Sequence, residues 1–76
     1  MTTFTIEITD RSVTYAARKI VSIEMTTTGS GAKCNPKRAT LRVRHSNGDI
    51  DDFYFNTNVE AAELALAAAK EAMEKA

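Results

Sequence analysis

One histidine, His45, one cysteine, Cys34, and a scatter of serines are the side chains of this sequence that could supply a base or a nucleophile. Such chemistry needs a base within hydrogen-bond reach of its target and a third group to orient that base. No spacing in the chain specifies this arrangement, and Cys34 falls in a glycine-rich stretch, so no catalytic residue is assigned and no enzyme is expected. A single cysteine excludes an intramolecular disulfide and a cysteine-rich zinc site, and it fits a reducing, cytoplasmic setting. Asp49, Asp51 and Asp52 superficially resemble calcium ligands. The order Asp-Ile-Asp-Asp lacks the turn glycine and terminal glutamate of an EF-hand, so neither a metal nor a cofactor is expected. Asp51 and Asp52 are instead expected to face Arg42 and Arg44 across a hairpin.

The other residues with chemical potential are cationic. Lys33, Lys37, Arg38, Arg42 and Arg44 could contact phosphates or an acidic surface, and Tyr54 should share a sheet face with Arg42 as a stacking aromatic. They belong to a segment, residues 11–45, with eight basic residues against Glu24 alone; residues 46–76 carry seven acidic residues against Lys70 and Lys75. The formal net charge of zero conceals this split. The halves either neutralise each other in the folded state or leave a dipolar surface that steers a charged partner.

These residues are positioned by elements that can be read from periodicity. Phe4-Thr5-Ile6-Glu7-Ile8-Thr9 alternates apolar and polar, as a strand buried on one side does, and Val13-Thr14-Tyr15-Ala16-Ala17 resumes the alternation after a turn at Asp10-Arg11-Ser12. Ile20 breaks parity with Tyr15, which predicts a turn or bulge at Arg18-Lys19 before a third strand over 21–27. Residues 29–36 hold two of the three glycines and the only proline, predicting a mobile loop with an accessible Cys34. Strands at 39–44 and 50–56 flank Asn47-Gly48, the strongest hairpin signal in the chain. A two-residue loop would mix apolar and charged side chains on one face. A three-residue loop with Gly48 in the left-handed region pairs Leu41 with Phe53 and Arg42 with Asp52, and sorts the faces.

From Thr57 onward the chain has no Gly or Pro and is rich in alanine, which predicts a helix. Thr57-Asn58-Val59-Glu60 matches a capping box. Val59, Ala62, Leu66, Ala69 and Met73 fall in one arc, opposite a charged arc that includes Leu64. Leu64 is either a lone exposed leucine or an anchor for a second copy or another protein. The predicted core is Phe4, Ile6, Ile8, Ile23, Leu41, Val43, Phe53, Phe55, Leu66 and Met73.

The expected fold is therefore α+β: one domain over residues 1–76, an antiparallel sheet of four or five strands packed against a C-terminal helix. In ITDRSVTY followed by KIVSIEM, then GDIDDFYF and a closing alanine-rich helix, the chain resembles small bacterial pleckstrin-like domains of unknown function. The resemblance implies a pleckstrin-like roll; another strand-and-helix sandwich is the alternative. In membrane-tethered relatives a hydrophobic hairpin separates the two halves, and GSGAKCNPKR stands in that place here, so membrane attachment is not implied. No apolar run approaches the roughly 18 to 20 residues that cross a bilayer, and the first ten residues lack a signal-peptide pattern.

A domain of this size buries only about 60% of the surface its unfolded chain exposes, leaving little material for an enclosed active site. The expected function is a non-catalytic protein-interaction module. Small free-standing domains of this kind are typical of phage and mobile-element accessory genes that block a host or defence complex, such as a CRISPR effector. A small nucleic-acid binder using the basic strand 37–45 is the competing class.

Overall fold

The computed structural model describes residues 2–76. Strands β1 (Thr3–Ile8) and β2 (Arg11–Ala16) form an antiparallel hairpin in which Phe4 opposes Tyr15 and Ile6 opposes Val13. A single 3-10 turn, Ala17–Lys19, leads into β3 (Ile20–Thr28), followed by β4 (Arg38–His45), β5 (Ile50–Asn56) and helix α1 (Val59–Lys75). The class is α+β as expected, but the strands form two antiparallel sheets, β1-β2 and β3-β4-β5, rather than one sheet of four or five. The 3-10 turn between β2 and β3 separates them: it redirects the chain so that the two sheets share a core without sharing a ladder.

The parity conflict at Ile20 is resolved by this turn together with a register shift between Ile20 and Ser22. The bulge lets both Ile20 and Ile23 point inward although three positions apart, and it leaves Val21 63% exposed. The β4-β5 hairpin has the predicted three-residue loop: the His45 amide donates to the Asp49 carbonyl, the Gly48 amide donates back to the His45 carbonyl, and Gly48 has φ +96°. Leu41 pairs with Phe53 and Arg42 with Asp52, as parity requires.

Helix α1 lies over both sheets, touching β1, β3, β4 and β5. Its cap differs from the expected box, because the helix starts one residue later: the Asn58 side chain accepts from the Ala61 amide at 3.4 Å, and Glu60 is a first-turn acid near the positive pole. The buried helix residues are Ala62, Ala69 and Ala72, whereas Leu66 and Met73, placed in the core by sequence, are only partly buried, as is Ile8. With alanines on its contact line the helix comes close to the sheets, and its longer side chains are pushed to the flanks. Tyr15, Ala17, Ile20 and Ala39 complete a core centred on Ile6, Leu41, Val43 and Phe53.

The β3-β4 hairpin runs past this core. Thr26–Thr28, the turn at 29–37 and Arg38 are exposed apart from a half-buried Pro36, and the molecule measures 43 × 22 × 22 Å. The glycine-rich segment is a folded turn: Ala32 and Asn35 form a bridge, and the Gly31 amide donates to the Asn35 carbonyl at 3.0 Å.

Candidate functional site

The helix and the β1-β2 hairpin cover one face of the β3-β4-β5 sheet; the opposite face is open. Alternation along β4 and β5 puts Thr40, Arg42 and Arg44 beside Ile50, Asp52 and Tyr54 on this open face, while Leu41, Val43, Phe53 and Phe55 point into the core. From β3 the same face receives Glu24 opposite Arg42 and Thr26 opposite Thr40. Tyr54, 61% exposed, sits with Arg42, Asp52, Thr26 and Thr40 around a shallow depression of about 360 Å3. Tyr54 and Arg42 do share a face, as their parity predicts.

Charge on this face is balanced pair by pair. Arg42 Nε donates to Asp52 Oδ1 at 3.0 Å, and Asp52 holds the guanidinium more firmly protonated than usual. Arg44 lies 3.8 Å from Glu24, not beside Asp51 as the sequence reading had it. The register explains the difference: Arg44 opposes Ile50, and Asp51 opposes Val43 with its side chain on the inner face.

Asp51 is the centre of a polar knot that the sequence alone did not show. The Tyr15 hydroxyl donates to Asp51 Oδ2 at 2.7 Å, and His45 Nε2 donates to the same oxygen at 3.0 Å. The Tyr15 ring packs edge-on to His45 and to Phe53 at centroid distances of 5.3 and 6.2 Å. Arg11 lies 4.1 Å above the Phe53 ring and donates to the Asp52 carbonyl at 3.3 Å. The knot fastens β2 of the small sheet to β4 and β5 of the large one. Hydrogen bonds from Tyr15 and then His45 hold the Asp51 carboxyl below the usual carboxylate range, against some opposition from burial. Burial first, and then the bond to Asp51, raises the Tyr15 hydroxyl above its ordinary value. The only available signal was parity: Tyr15, His45 and Asp51 each sit on the inward row of their strand.

His45 and Cys34 are kept apart. His45 is the last residue of β4 and Cys34 lies in the turn before its first, and the eight residues of the strand span about 23 Å. Cys34 is exposed at the tip of the β3-β4 hairpin with Lys33; Lys37 and Arg38 stand at the start of β4, and among the described residues none of these three cations has an ion-pair partner. Leu64 is 73% exposed on the outer side of α1. Of the nine candidate surface residues, Arg42, Arg44, Asp52 and Tyr54 share the open sheet face, Lys33, Lys37 and Arg38 belong to the projecting hairpin, Asp51 turns inward, and Leu64 is on the helix. Among the described residues no three His, Cys, Asp or Glu side chains converge on a metal position, and no helix is long and apolar enough to cross a membrane.

Compared with known protein families, curated proteins and solved structures, the chain matches none.

Proposed function

We propose that this chain is a non-catalytic protein-interaction module that docks a partner protein on the open face of the β3-β4-β5 sheet. The observation that carries this reading is an uncovered sheet face on which Tyr54 and Arg42 line a shallow depression with Asp52 and two threonines. Tyrosine and arginine dominate binding hot spots because each supplies a large, preorganised contact area with a polar end. Pairing Arg42 with Asp52 and Arg44 with Glu24 favours a protein partner over nucleic acid, which calls for uncompensated cations along a backbone track. A pleckstrin-like origin belongs to the same proposal, supported by the order of five strands and a closing helix. So does a cytoplasmic setting, supported by the exposed, unpaired Cys34. Blocking a host or defence complex, such as a CRISPR effector, is the biological role proposed for it, since that task asks for surface rather than chemistry.

The test is affinity capture from bacterial lysate with wild-type protein, Tyr54→Ala and Arg42→Ala, each with and without nuclease. A protein captured regardless of nuclease, and lost or held at least about tenfold more weakly by both variants at unchanged melting temperature, supports the reading. Capture that both variants retain rejects this face. Nuclease-sensitive capture moves the function to nucleic acid and to Lys33, Lys37 and Arg38.

A further inference from the structure

Strand β3 is an edge of its sheet: β4 pairs with one side, and among the described residues no strand or backbone hydrogen bond occupies the other. Soluble proteins usually blunt such edges with lysine, proline, inward charges or bulges. Here the bulge at Val21 protects only the start of the strand. From Ser22 to Thr28 the sequence Ser-Ile-Glu-Met-Thr-Thr-Thr is regular, contains no Lys or Pro, and is dominated by residues that favour strands. We propose that this edge pairs antiparallel with the same edge of a second copy of the chain, joining two three-stranded sheets into one of six strands.

Alternation fixes the register. Paired residues in an antiparallel ladder point to the same face, so an even-numbered position must meet an even-numbered one. Centring the two-fold axis on Glu24 sets two like charges opposite each other. Centring it on Thr26 shortens the ladder by two pairs and sets Ile23 against Gly29 of the second copy. Centring it on Met25 uses the whole regular stretch, with Ser22 opposite Thr28, Ile23 opposite Thr27 and Glu24 opposite Thr26.

The side chains then sort by face. On the inner side the half-buried Met25 meets its own copy. There, too, the second copy's Thr27 falls beside Ile23, at the rim of a groove of about 300 Å3 between β3 and α1 that Val21, Ile23 and Met73 line together with Ser22, Lys70 and Glu74. On the outer side each Glu24 faces a threonine hydroxyl and no like charge. The edge and its register are therefore self-complementary, and this selects a second copy over an unrelated strand.

Sedimentation equilibrium over roughly 10–500 µM should give a dimer, twice the 8.3 kDa chain mass, at the upper end. Thr26 is exposed, so charge there can be changed in either sense. Thr26→Glu sets two carboxylate pairs against each other across the axis and should weaken the dimer by roughly 2- to 30-fold; Thr26→Lys sets two opposite-charge pairs and should tighten it by a similar factor. Thermal melts check that each variant folds, and if Thr26→Glu does not, the tightening by Thr26→Lys still decides. A monomer throughout the concentration range overturns the proposal, including the case in which β3 serves a strand from another protein. A dimer that ignores both substitutions, or that both weaken, overturns it equally.

Discussion

At the scale of single residues, Asp51 carries the most specific chemistry in the molecule. Its carboxylate is the shared acceptor that joins Tyr15 of the small sheet to His45 of the large one. Because the folded carboxyl titrates below its ordinary value near 3.9, its contribution to stability is complete above that pH and is lost as pH falls through the depressed folded value. Melting temperature measured against pH should therefore drop more steeply below about pH 4 in wild type than in Asp51→Asn, and the two curves should converge in acid. The side chain is 41% exposed, so screening keeps the difference at neutral pH to about 1 kcal/mol. Tyr15 acts in the opposite direction. Its raised folded value means that stability is held below the ordinary tyrosine value near 10 and declines as pH rises beyond it, and Tyr15→Phe should flatten that alkaline limb. None of this was legible as a motif, since three residues from three strands at positions 15, 45 and 51 leave no local spacing to read.

At the scale of elements, turns and the helix face give separable tests. Gly29 and Gly48 both have φ above 90°, yet a Cβ at Gly29 would come 2.3 Å from the Pro36 carbonyl oxygen, whereas one at Gly48 meets nothing within 4 Å. Gly48→Ala should cost about 1 kcal/mol, the conformational penalty alone, and Gly29→Ala about 2 to 4, because backbone must move as well. Equal losses in chemical denaturation would show that the β3-β4 turn yields freely. In the helix, Ala69→Leu forces a larger side chain into a fully buried site and should cost about 1 to 3 kcal/mol. Leu66→Ala, at a partly buried site, should cost only about 1 to 2. That order reverses the one implied by the sequence, where the larger apolar residues of the arc stood for its buried line. Periodicity located the helix and its apolar side, but it could not tell which member of a 100° arc lies nearest the sheets, because that depends on the helix's height and rotation.

For the whole molecule, the charge split is bridged among the described residues by one pair of permanently charged side chains, beside the His45–Asp51 contact. Arg42 with Asp52 joins the basic and acidic halves across β4-β5, while Arg44 pairs with Glu24 inside the basic half and Glu71 with Lys75 inside the acidic one. Reversing both Arg42 and Arg44 to Glu should lower the melting temperature slightly, in line with exposed pairs, and should abolish binding if the open sheet face is the docking surface. Binding that survives the reversal and is indifferent to salt would move attention to Leu64 and the helix. Strand alternation, the Asn47-Gly48 hairpin with its register, the closing helix and the exposed Cys34 were determined by the sequence alone. Each rests on a contact between near neighbours in the chain or on a two-residue or 3.6-residue period. The division into two sheets, the alanine line under the helix, the inward turn of Asp51 and the free edge of β3 were decided by the tertiary structure. Each depends on how far and at what angle one element stands from another, and no local period encodes that distance.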